Sequence, residues 1–96
     1  MYVKKIDLSD NRALTAVRWA TIGKSLQGKR VDELNVASCA LTDEKVLQIG
    51  FQQMNVEKID FSENDEITAS GWGTIGEALQ GKHLDELNVS KCSLTE

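Results

Sequence analysis

Gly23-Lys-Ser-Leu-Gln-Gly28-Lys29 has the spacing of a phosphate-binding loop, G-x-x-x-x-G-K, and Gly76 to Lys82 repeats it. Such a loop needs Ser or Thr next, to hold Mg²⁺, and must lie between a strand and a helix. Arg30 and His83 occupy that next place. The surrounding sequence puts these glycines inside and at the ends of helices, so the pattern speaks against nucleotide binding. The other chemistry-bearing side chains are scattered. Cys39 and Cys92 have no His or second Cys at metal-ligand spacing. His83 is the single histidine and reads as an exposed loop residue. Glu63, Asp65 and Glu66 could attract a cation, but they lack the spacing and turn glycine of a calcium loop. They read as a solvated loop. Asn88-Val-Ser90 has the form of a glycosylation sequon, yet it falls in an expected strand. No catalytic, cofactor or metal site is expected, and the chain reads as a non-enzyme.

Bulk properties narrow the partners. Ninety-six residues make at most one domain, and no Pro or Gly/Ser-rich stretch marks a boundary. The net charge of −4 argues against nucleic acid, which calls for a basic stripe, and against an anionic membrane surface. No run approaches the ~18 apolar residues of a membrane span. The opening MYVKKIDLSD has no apolar signal-peptide core. The expected compartment is the cytoplasm.

The positioning elements come from a repeat. At an offset of 53, residues 56–96 match residues 3–43 at 24 of 41 places. A period of this size means stacked supersecondary units. Within each copy a shorter pattern, L-x-x-L-x-L-x-x-N, occurs twice. Its instances are Val3/Ile6/Leu8/Asn11, Val31/Leu34/Val36/Cys39, Val56/Ile59/Phe61/Asn64 and Leu84/Leu87/Val89/Cys92. The last places step by 28, 25 and 28 residues. On these residues the chain resembles a leucine-rich repeat protein of the ribonuclease-inhibitor-like subfamily, over nearly its whole length.

The resemblance implies an α/β fold, a leucine-rich repeat solenoid (a horseshoe segment) with parallel strands on its concave side and helices on its convex side. It would form one domain, 1–96, of about three and a half repeats: 3–30, 31–55, 56–83 and 84–96. It also implies that Asn11, Cys39, Asn64 and Cys92 form a structural ladder at the strand ends, bonding neighbouring backbone. The second repeat is three residues short, so its helix is expected to be cut or irregular. Physics points the same way. Apolar residues 6 and 8 alternate with polar 7 and 9, the period of a strand with one buried face. Each strand step is ~4.8 Å, so cysteines two strands apart lie ~10 Å from each other, beyond the ~7 Å disulfide limit. Two free, buried thiols are expected.

Helices are expected near Ala16–Gln27, Asp43–Gln53 and Ala69–Gln80. Thr15, Thr42, Thr68 and Thr95 suit their N-caps. Ile-Gly recurs inside the helices at 22–23, 49–50 and 75–76, and reads as close approach of helix to strand or helix to helix. Gly28 and Gly81 suit the helix ends. Trp19 and Trp72 read as packing between units.

The outward strand residues form columns: Lys5, Glu33, Lys58, Glu86; then Asp7, Asn35, Asp60, Asn88; then Ser9, Ala37, Ser62, Ser90. Opposite charges alternate in the first, and no two carboxylates adjoin in the second. Such neighbours support a sheet by some tenths of a kcal/mol each. None of the three columns carries an aromatic residue or Arg, the usual interface anchors. Lys4, Asp32, Glu57 and Asp85 form a mostly acidic strip, the candidate for a basic partner. Leu84, Leu87, Val89 and Leu94 form a candidate self-association edge, since an uncovered edge strand invites pairing. A two-fold homodimer is favoured there over head-to-tail stacking, which would lack a helix after residue 96. The expected function is a protein-interaction or scaffold module, a piece of a longer protein or a self-assembling one. The family also includes activators of small GTPases, for which Arg12 is the one conceivable charged finger.

Overall fold

The computed structural model describes residues 2–92. The chain runs β1 (Tyr2–Asp7), α1 (Ala16–Leu26), β2 (Arg30–Asn35), α2 (Asp43–Ile49), β3 (Asn55–Asp60), α3 (Ala69–Leu79) and β4 (Glu86–Asn88). A short 3₁₀ turn, Phe51–Gln53, follows α2. The strands form one parallel sheet in chain order. Each is joined to the next through a helix, and α2 packs against both α1 and α3.

The register follows the apolar spacing. Val3, Val31 and Val56 are partners across β1, β2 and β3, as are Ile6, Leu34, Ile59 and Leu87 across all four strands. Their side chains and those of the helices make one core around the fully buried Trp19, Val31, Leu41 and Phe61. Phe61 stands edge-on to Phe51 and to Trp72, with ring centroids 5.2 and 5.8 Å away. Such T-shaped contacts place ring edges against ring faces. Burial fades toward the outer strands. Val3, Ile6, Leu8, Leu84 and Val89 are only partly buried, and Leu87 is 43% exposed.

The helix ends explain themselves residue by residue. Thr15 and Thr42 accept the backbone N–H of Arg18 and Lys45 on their hydroxyls, each at 3.3 Å. Thr68 does not act this way. Its hydroxyl and backbone N–H both donate to Asp43, the latter at 2.8 Å, so the first turn of α2 caps α3. Thr95 lies outside the described residues. The three Ile-Gly pairs also part company. A Cβ on Gly23 would lie 2.0 Å from the carbonyl oxygen of Ile49, so α1 and α2 meet at that glycine. Gly50 is not inside a helix: it takes a left-handed conformation (φ 70°) and ends α2. This is how the shorter segment is cut. Gly76 faces open space, so no close approach explains it.

Candidate interaction surfaces

The strand exits are built the same way four times. Asp7, Asn35, Asp60 and Asn88 each turn a side-chain oxygen onto the backbone N–H two residues on, at 2.9 to 3.0 Å. These are Asx turns. The left-handed residues Asp10, Ser38, Glu63 and Lys91 follow, with φ between 53° and 64°. The next residue is in each case the ladder residue. The second outward column therefore shapes the chain as it leaves the sheet. Sequence reasoning saw its charge pattern and missed this role, although Asp/Asn two places before a small or polar residue was the available signal. Asp7 is held below the usual carboxylate range, first by the Ser9 hydroxyl and then by the Ser9 backbone N–H.

The two cysteines of the ladder act alike, and its two asparagines do not. Asn64 is fully buried. Its Oδ1 accepts the N–H groups of Cys39 and Leu41 at 3.1 and 3.0 Å. Its Nδ2 donates to the carbonyls of Val36 and Phe61 at 2.9 and 2.8 Å. It thus ties the β3 exit to the β2 exit. Cys39 and Cys92 are free and buried, and each thiol donates back to the preceding exit. The Cys39 thiol lies 3.0 Å from the Leu8 carbonyl, and the Cys92 thiol 3.1 Å from that of Phe61. Burial pushes the Cys39 thiol above its ordinary pKa. Asn11 is exposed, and its amide donates to Leu8 in its own exit at 2.7 Å.

On the outward face, Lys5, Glu33, Lys58 and Glu86 stand in one row. Lys5 Nζ lies 3.9 Å from Glu33 Oε2, both sides half exposed. Such a pair contributes little to stability. Lys4, Asp32, Glu57 and Asp85 also share a row by that register, and Asp85 N–H donates to the Glu57 carbonyl. Their carboxylates are already engaged. Arg30 lies 3.1 Å from Glu57 Oε1 and 3.9 Å from Asp32 Oδ1. Asp32 also accepts the Tyr2 hydroxyl, while Arg30 stacks over the Tyr2 ring at 5.6 Å. His83 stands 3.5 Å from Asp85. A cleft of about 450 Å³ opens beside these pairs, between Arg30, Glu57, Lys82 and His83. The strip is thus partly neutralised from within by Arg30.

The remaining candidates are placed as follows. Gly23 is buried inside α1, where its N–H belongs to the helix ladder and is not free for a phosphate. Glu63, Asp65 and Glu66 are exposed, as is Arg12 in the turn after Asn11. Asn88 and Ser90 are joined by the Asx turn of the β4 exit. Leu84, Leu87 and Val89 form one partly uncovered edge at β4, whereas Leu94 lies outside the described residues. Among the described residues no helix is long and apolar enough to cross a membrane. Compared with protein-family models, curated proteins and solved structures, the chain finds no match in any of the three.

Proposed function

We propose that this chain is a leucine-rich repeat module, a short solenoid of the ribonuclease-inhibitor-like kind, which acts by holding another protein and performs no chemistry itself. The observation that supports this most is the strand exit built four times, with Asx turn, left-handed residue and ladder residue in the same order. A surface made by stacking such exits presents rows of side chains, a geometry suited to contact along a partner. The outward sheet face is the working surface in this reading. The test is affinity capture with the intact chain, paired with a variant carrying Glu33→Ser and Lys58→Ser. A partner whose binding falls at least about ten-fold in the variant, at unchanged circular dichroism, supports the reading. A partner indifferent to the substitutions sinks it.

The second reading is self-assembly through the sheet edges. It is favoured by the core residues left partly uncovered there: Val3, Ile6 and Leu8 at β1, and Leu84, Leu87 and Val89 at β4. Capture of only further copies of this chain would select it.

A further inference from the structure

The β2–β3 junction inside the chain is a template. Across it, Glu33 is in register with Lys58, Leu34 with Ile59 and Asn35 with Asp60. Asn64 then reaches back to Cys39, Leu41 and Val36. At the offset of 53, β4 restates β2, with Glu86, Leu87 and Asn88 for Glu33, Leu34 and Asn35. By the same offset β1 restates β3, with Lys5, Ile6 and Asp7 for Lys58, Ile59 and Asp60. The two outer edges of the sheet are therefore the two halves of a junction the chain already makes. We infer that β4 of one chain receives β1 of a second copy, parallel and in the β2–β3 register, so that chains add head to tail. This rests on the self-assembly reading above and specifies its geometry.

Charge favours this arrangement over the pairing of two β1 edges. In the template register, Glu86 faces Lys5 of the second copy, as Glu33 faces Lys58. Asp85 faces Lys4, where the interior has the like-charged pair Asp32 and Glu57. Asn88 faces Asp7, as Asn35 faces Asp60. Opposite charges across neighbouring strands favour pairing and like charges oppose it. Two β1 strands paired antiparallel over Tyr2–Asp7 would instead set Lys4 against Lys5 of the other copy.

The apolar sets match as well. Leu84, Leu87 and Val89 meet Val3, Ile6 and Leu8, all partly uncovered in the single chain. Asn11 completes the fit. Its amide already donates to Leu8, as that of Asn64 donates to Phe61. Among the described residues no hydrogen bond reaches its Oδ1, the atom through which Asn64 accepts Cys39 and Leu41. In the head-to-tail register the N–H of Cys92 of the first chain arrives at that atom of the second copy.

The template junction is also backed by α2, lodged between α1 and α3. Among the described residues the match between the two edges is carried by the strands and their exits. A contact between two different edges leaves one of each free, and the series stays open.

Sedimentation of the 96-residue chain from about 10 μM to about 1 mM tests this. The expected result is a mean mass that climbs past dimer without a plateau. Lys5→Glu and Glu86→Lys should each lower the association constant at least about ten-fold. An equimolar mixture of the two should regain it, because each altered edge then meets the other. Asn11→Ala, at an exposed site, should weaken association with only a small drop in melting temperature. Thermal melts of all variants separate lost pairing from lost folding. A plateau at dimer, or one charge variant that associates as the parent does, overturns head-to-tail addition and leaves self-assembly standing. A monomer throughout overturns both.

Discussion

Asn64 accepts the backbone N–H of Cys39 at 3.1 Å, across the gap between one strand exit and the next. The same oxygen takes Leu41, and the same side chain donates to Val36 and Phe61. No water reaches this fully buried group to replace those partners. Each buried polar group left without a partner costs about 1–3 kcal/mol. Asn64→Ala orphans two donors at once and should lose about 3–5 kcal/mol. Asn11→Ala, its counterpart at an exposed exit, should lose less than about 1 kcal/mol. Urea denaturation of both measures the contrast, and equal losses would refute the asymmetry.

That contrast marks what the sequence could and could not reveal. The spacing of Val3, Ile6 and Leu8 and its three echoes set the strand register correctly, because apolar period and burial are the same fact seen twice. The spacing did not distinguish Asn11 from Asn64, because their difference lies in which neighbour is present. Thr68 failed for the same reason. Its sequence promises a self-made cap like Thr15 and Thr42, yet Asp43 from another element takes both of its donors. Gly23, Gly50 and Gly76 read alike and serve three different ends: a helix contact, a helix stop and nothing visible. Arg30 reads as a failed phosphate loop and proves to be the partner of Asp32 and Glu57. Local pattern carries what each residue does to its own backbone. Long-range partners are set by packing.

Two of those glycines give a sharp comparison. Helix propensity alone would favour Ala at both by about 1 kcal/mol. At Gly76 nothing lies within 4 Å of the added Cβ, so Gly76→Ala should gain most of that. At Gly23 the Cβ would sit 2.0 Å from the Ile49 oxygen and 2.8 Å from its carbonyl carbon, both backbone. Relief requires moving α1 away from α2. Gly23→Ala should therefore lose about 2 kcal/mol or more, the scale of overpacking. Thermal melts should shift in opposite directions, and a shared direction would contradict the described helix contact.

Cys39 is buried and bonded to Leu8, and burial holds its thiol above the ordinary pKa. Thiolate is the reactive form. At pH 8 the folded chain should react slowly with a disulfide reagent, at Cys92 as well because that residue is 1% exposed. In denaturant both thiols should react at the rate of free cysteine. Fast reaction of one equivalent in the folded state would show that a strand exit opens readily.

Asp43 gives the pH prediction. Its carboxyl is held below the usual range by the Thr68 hydroxyl first, then by the backbone N–H of Thr68 and by that of Gly71. It also sits in the first turn of α2, where negative charge favours the helix dipole. A carboxylate whose pKa is depressed by folding stabilises the native state above its unfolded pKa, about 4. That contribution is lost as pH falls through the lower folded value. Asp43→Ala should therefore melt earlier than the parent at pH 7. The gap should persist to about pH 5 and close as pH falls below about 4 and through the lower folded value. Asp7 shifts in the same direction, so the parent alone would report both residues. The difference between parent and variant cancels Asp7 and isolates Asp43. Were the gap equal at pH 7 and pH 3, the bonds from Thr68 would hold without the charge, and Asp43 would act as a neutral acceptor.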